Sequence, residues 1–143
     1  MDAFLSHSLA ETLEFAQNFG RTLPLNSLVC FFGDLAAGKT TFIKGLLQGA
    51  ANLESSEIQS PTFAYLNIYE GTKTAYHFDL YRLKGIDEFI SMGFDEYFDA
   101  GGICCIEWSE RISSYLPDGC IQVYLEHAGE NKRLITIKEE PHV

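Results

Sequence analysis

The 143 residues of the chain fit one compact domain around a single core and leave no room for a second catalytic domain. Apolar residues make up 46% and aromatics 13%, enough hydrocarbon to fold unaided, which excludes intrinsic disorder. Twenty acidic residues against ten basic ones, a formal net charge of −10, argue against a free-standing binder of nucleic acid or of anionic membranes, so any polyanion is held locally or presented by a partner.

The chain begins with a helical pattern. Between Ser6 and Leu23, apolar residues recur at Leu9, Leu13, Ala16 and Phe19, and Ser8 and Glu11 have capping-box spacing, which predicts an amphipathic helix lying on a sheet. Leu28 to Phe32, LVCFF, is a continuous apolar run too short for a helix, as expected of a strand buried on both faces. The segment GDLAAGKT ends it, and a second helix is predicted over Thr40 to Leu47. Residues Thr62 to Tyr69 and Thr74 to Leu80 read as a hairpin around Glu70-Gly71-Thr72-Lys73. Asp87 to Asp99 predicts one or two short helices with a negative solvated face. Ile103-Cys104-Cys105-Ile106 is a second strand apolar on both faces. Ile121 to Glu126 and Arg133 to Lys138 alternate around Gly129-Glu130-Asn131, a closing hairpin with one wet face. The sum is an α/β fold in three layers, P-loop NTPase-like, whose mixed sheet has a parallel centre and antiparallel hairpins, with residues 1–143 as one domain.

Cys30, Cys104, Cys105 and Cys120 form no C-x-x-C pair, and three lie in apolar runs, which speaks against a zinc site or a disulfide framework. With no basic residue before Arg21 and no long apolar run, neither a secretory signal nor a membrane span is read, and a reduced cytoplasmic setting is expected.

The strongest chemical signal is Gly33-Asp34-Leu35-Ala36-Ala37-Gly38-Lys39-Thr40, a match to G-x-x-x-x-G-K-[ST] between a predicted strand and a predicted helix, with Thr41 next in line. Such a loop wraps a phosphate chain with backbone N–H groups, and its glycines permit turns and close approaches that a Cβ would block. Lys39 then reaches the β/γ-phosphates, the Thr40 hydroxyl sits on Mg²⁺, and the helix presents its positive end to the phosphates. The plainer reading is an ordinary glycine-rich turn.

Two carboxylates end predicted strands near this loop, Asp79 and Glu107. The strand before Glu107 is the more apolar and so the more central, which assigns Glu107 to Mg²⁺, directly or through water, and Asp79 to the outer shell or to orienting the attacking water. Either could instead cap a neighbouring loop. Ser60-Pro61-Thr62-Phe63 falls where many NTPases carry a switch, with Thr62 as the sensing hydroxyl or else as part of a simple strand entry. Trp108 follows Glu107 and either covers the nucleotide or caps the core. His77 reads as a structural histidine rather than a base, since nothing in the sequence places it beside a nucleophile. Lys132 and Arg133 could reach a nucleotide from the closing hairpin or be solvated turn residues.

GDLAAGKTTF, SPTF, YHFDLYRL and IEW, in that order and spacing, resemble the TsaE (YjeE) family of small bacterial P-loop ATPases. The resemblance runs from the first helix to the end of the fourth strand and more loosely beyond. It implies an ATPase needed for threonylcarbamoylation of adenosine in tRNAs that read ANN codons, working with TsaB and TsaD, with the carbamoyl transfer belonging to the partner enzyme and ATP turnover slow until the partners engage. It also implies that Lys39 and Thr40 take the phosphate and metal positions, Thr62 the switch-like threonine, Asp79 the Walker B-like aspartate, and Glu107 with Trp108 the Mg²⁺ carboxylate and its adjoining tryptophan. The family usually has glycine at Ala36. The stretch Asp79 to Glu110, eight acids to two bases, suits a complementary docking surface and equally a solvated face. Two other readings stand beside this one: a small-molecule kinase using Arg82 and Arg111 on transferred phosphate, and a nucleotide-binding adaptor that does not hydrolyse ATP. A guanine-reading N-K-x-D is absent, since Leu134 stands at its fourth position.

Overall fold

A computed structural model describes residues 2–33, 38–59, 61 and 65–139 of the chain. Its central strand is β2 (Leu28–Phe32), which lies between two parallel partners, β5 (Ile103–Glu107) and β6 (Ile121–Gly129). Every residue of β5 is buried, and so are the first four of β2, because helices cover both faces of the sheet here. That is why LVCFF and ICCIE are continuous apolar runs rather than alternating ones. On one side β5 pairs in parallel with β4 (Thr74–Asp79), which forms an antiparallel hairpin with β3 (Leu66–Glu70). On the other side β6 pairs antiparallel with β7 (Lys132–Glu139), and β1 (Asp2–Ser6) lies antiparallel along β7. The strand order is β1-β7-β6-β2-β5-β4-β3, a mixed sheet with a parallel centre.

Helices α1 (Leu9–Arg21) and α2 (Lys39–Ala51) cover one face of the sheet, burying Phe42, Ile43, Leu46 and Leu47 against Val29, Phe31, Cys105 and Val123. The opposite face carries α3 (Ile86–Ser91) and two 3₁₀ segments, Phe94–Asp99 and Ser109–Tyr115. Its core is aromatic: the Phe78 ring meets those of Phe89, Phe94 and Phe98 at centroid distances of 5.6–6.2 Å. Helices α1 and α2 pack with their backbones nearly touching. A Cβ added at Gly20 would run into the carbonyl oxygen of Leu46, and one at Gly49 into that of Gln17, so the seam between the helices needs glycine from both.

Several boundaries differ from those the sequence predicts. The first helix does not start at Ser6; that residue ends β1, a strand the periodicity does not announce, and Ser8 is the N-cap. Only half of the expected capping box forms. Ser8 Oγ accepts from the Glu11 N–H at 3.1 Å, while the Glu11 carboxylate accepts from the His7 N–H at 3.0 Å instead of turning back to Ser8. Helix α2 runs four residues past Leu47, to Ala51, because Gly49, Ala50 and Ala51 fit under α1 and the sheet. Strand β3 starts at Leu66, after Tyr65 in the left-handed region with φ 62°; Thr62 to Ala64, the start predicted for it, lie outside the described residues.

Candidate functional site at the carboxyl ends of the central strands

Beyond the carboxyl ends of the parallel strands lies a cavity of about 450 Å³, lined by the start of α1, the start of α2, the tips of β4 and β5, and the turn between β6 and β7. Open α/β sheets bind ligands at this end. Gly38 is the N-cap of α2 with φ 100°, a backbone state that suits glycine, and Lys39, Thr40 and Thr41 follow in the first turn. All four line the cavity. A helix N-terminus aimed at a cavity offers unpaired backbone N–H groups and the positive end of its dipole, and Lys39 adds a full charge.

Across from it, Asp79 and Glu107 are direct register partners at the last positions of β4 and β5. The parallel pairing therefore places two carboxylates side by side, facing the lysine. Asp79 is half-buried and accepts the Tyr81 N–H at 3.1 Å. Burial holds its carboxyl above the ordinary aspartate value; neighbouring Glu107 pushes the same way, while the Tyr81 N–H, His77 and Lys39 oppose. Glu107 is 6% exposed, and its Oε2 lies 2.8 Å from Nε2 of His77, itself 1% exposed. His77 points to the same sheet face as Glu107, one pleat earlier on the adjacent strand.

Trp108 leaves the sheet with φ 60°, a left-handed backbone uncommon for a bulky residue. The turn lays its ring over the cavity, where Lys39 Nζ sits 5.1 Å from the ring centre. Tyr81 packs edge-on against it at 4.9 Å, and the Arg111 guanidinium lies 5.9 Å from it while donating to the Tyr81 carbonyl at 3.0 Å. The third wall combines Ser8, Leu9 and Thr12 of α1 with Asn131 and Arg133. The pairing of Ser6 with Arg133 brings these two segments together.

Of the residues expected at the site, Gly38, Lys39, Thr40, Thr41, Asp79, Glu107 and Trp108 are gathered in this one cavity. Gly33 stands just after β2 and does not line it; Asp34, Leu35, Ala36, Ala37, Ser60 and Thr62 lie outside the described residues. Arg133 lines the cavity and Lys132 does not, nor do Arg82 and Arg111, the arginines a kinase reading requires at the transferred phosphate. Sequence reasoning missed the α1 contribution, which depends on β1, and the contact of His77 with Glu107, which depends on the β4–β5 register.

A sheet with a parallel centre, a glycine-capped helix after its central strand, and two carboxylates at the tips of the next two strands define a P-loop NTPase-like α/β fold. A crystal structure of YdiB from Bacillus subtilis is similar in fold, superposing with a TM-score of 0.79 at 30% identity, over 98% of this chain and 86% of that one. The model of the family "Threonylcarbamoyl adenosine biosynthesis protein TsaE" matches residues 6–135, and the chain belongs to that family. Among its relatives are the tRNA threonylcarbamoyladenosine biosynthesis proteins TsaE of Treponema pallidum, 41% identical over 93% of this chain and 97% of that one, and of Rickettsia typhi, 39% identical over 94% and 92%. No helix among the described residues is long and apolar enough to cross a membrane.

Proposed function

We propose that the chain binds and hydrolyses Mg²⁺-ATP in this cavity, and that the ATPase serves threonylcarbamoylation of adenosine in tRNA, with the TsaB and TsaD proteins as partners and tRNA met only through them. The observation that carries the reading is the opposition of Lys39 and Thr40, at the start of α2, to Asp79 and Glu107 across one cavity. Membership of the TsaE family supports the tRNA-modification setting, and the cytoplasm is the location proposed with it.

The side chains fit a hard cation: a hydroxyl at Thr40 and a carboxylate at Glu107 are oxygen donors of the kind Mg²⁺ takes. No three His, Cys, Asp or Glu side chains converge on a common point among the described residues. Mg²⁺ characteristically keeps several waters and completes its shell with substrate phosphates, so two protein oxygens suffice. Bound there, the ion would neutralise charge on the β/γ-phosphate oxygens. Lys39 would hold the same phosphates, Asp79 would serve the outer shell of the ion or orient the attacking water, and Trp108 would shield the lysine from bulk solvent. Thr62 is proposed as the residue that senses the γ-phosphate.

ATP turnover measured with and without TsaB and TsaD tests the reading. Wild type should hydrolyse ATP faster with the partners present, and Lys39→Ala and Glu107→Ala should lose that activity. Equal turnover by wild type and Lys39→Ala would overturn it.

A further inference from the structure

We propose that His77 is a positioning residue for Glu107: its Nε2–H, donated to Oε2, fixes the carboxylate so that Oε1 is the oxygen presented to a metal ion in the cavity. The inference rests on the assignment of Glu107 to Mg²⁺ made above. His77 does not line the cavity and is 1% exposed, so it touches no ligand and acts only through its neighbour.

An imidazole here is an expensive way to fill space. On this face of the sheet Ala75, Ile103 and Cys105, all fully buried, flank it toward the sheet interior, where an aliphatic side chain would suit, while Asp79 and Glu107 flank it toward the cavity and Asn67 is its register partner on β3. With Nε2 donating to the carboxylate, Nδ1 is left buried and without a hydrogen-bond partner among the described residues. Burying an unpaired polar atom costs stability, and nothing else in the surroundings of the ring recovers it. The one hydrogen bond the ring makes among the described residues is to Glu107, at 2.8 Å. The Glu107 side chain has no other hydrogen bond or ion pair among the described residues, so without His77 its three torsions would be set by packing alone. Groups that orient a metal-binding side chain in this way commonly matter tenfold to a hundredfold to metal affinity.

The test reads the metal, not turnover. Binding of a fluorescent ATP analogue is titrated with Mg²⁺ and repeated in EDTA, and Mn²⁺ in the ternary complex is followed by electron paramagnetic resonance. His77→Leu should raise the half-saturating Mg²⁺ concentration about tenfold, broaden the Mn²⁺ signal and leave metal-free nucleotide affinity within about twofold of wild type. His77→Gln, whose amide reaches Glu107, should restore the wild-type midpoint; His77→Asn, an amide one methylene too short, should not. The Gln and Asn pair keeps the comparison valid should the Leu variant fold poorly. An unchanged midpoint in both His77→Leu and His77→Asn would sink the proposal, and so would parallel losses of metal-dependent and metal-free binding. Glu107→Gln separates the two claims. If it leaves the midpoint unmoved, the metal assignment falls and takes this proposal with it; if it shifts the midpoint while the His77 variants do not, the positioning role alone falls.

Discussion

On one side of the cavity Asp79 and Glu107 stand on adjacent parallel strands inside the sheet, their spacing fixed by backbone pairing on both flanks of β5 and, for Glu107, by a buried histidine. On the other side Ser8, Leu9, Asn131 and Arg133 come from a helix start and a hairpin turn near the sheet edge, where Leu9 is 65% exposed. Charges that must be placed to within a fraction of an ångström are carried by the interior of the sheet; contacts that need only proximity are carried by its margin. The first wall should therefore be sensitive to small changes in chemistry, the second tolerant of them.

Substitutions at the charged centre, Lys39 and the carboxylates it faces, should separate from those on the marginal wall. Lys39→Ala, which removes the charge facing the strand-tip carboxylates, should lower partner-stimulated ATP turnover about a hundredfold or more, read by phosphate release. Glu107→Ala should also register in the protein without ligand: it leaves His77 buried with neither ring nitrogen paired, and urea denaturation should show a loss of about 1–3 kcal/mol. Arg133→Ala, on the marginal wall, should weaken nucleotide binding by only about 1 kcal/mol in calorimetry and leave the Mg²⁺ midpoint in place. A loss from Arg133→Ala as large as that from Lys39→Ala would break the distinction.

The smallest effect has an informative sign. Asp79 is held above its ordinary value of 3.8 chiefly by burial, so the folded protein binds its proton more tightly than the unfolded chain does. Both forms are protonated well below that value, and stability falls as pH rises from about 3.8 through the folded pKa. In thermal melts, Asp79→Asn should thus match wild type in acid and become the more stable of the two as pH rises through that window, even as it impairs turnover. A variant less stable than wild type at neutral pH would show that Asp79 is a structural acceptor for Tyr81 first and a site residue second.

How far the sequence alone reached depends on the range of the interactions involved. The β2 strand, the glycine-capped helix after it and the buried β5 strand are local patterns, and each was legible; so was the choice of Glu107 as the more central carboxylate, because a strand covered on both faces has no polar alternation. Strand β1 was not. It pairs only with β7, at the far end of the sequence, and its five residues show no clean alternation, with Leu5 exposed and Ser6 buried. The last turn of α2 was missed at Gly49, a poor helix former in isolation that is kept because the backbone of α1 occupies the space its side chain would need. The role of His77 was out of reach for a similar reason. Only the register that sets Asp79 opposite Glu107 brings the ring to the carboxylate, and register between parallel strands is not written in either strand alone.

The glycine seam between α1 and α2 reaches beyond packing. Helix α2 begins with the lysine of the site, and the start of α1, with its N-cap Ser8, Leu9 and Thr12, lines the third wall, so the separation of the two helix axes bears on the width of the cavity mouth. Gly49 lies ten residues along α2 from Lys39, about 15 Å of helix. Volume added at that remote point would wedge the two axes apart like the pivot of a pair of tongs, and the jaws would open at the cavity mouth. Sequence drift at a position that lines no part of the cavity is in this way bounded by the cavity's width.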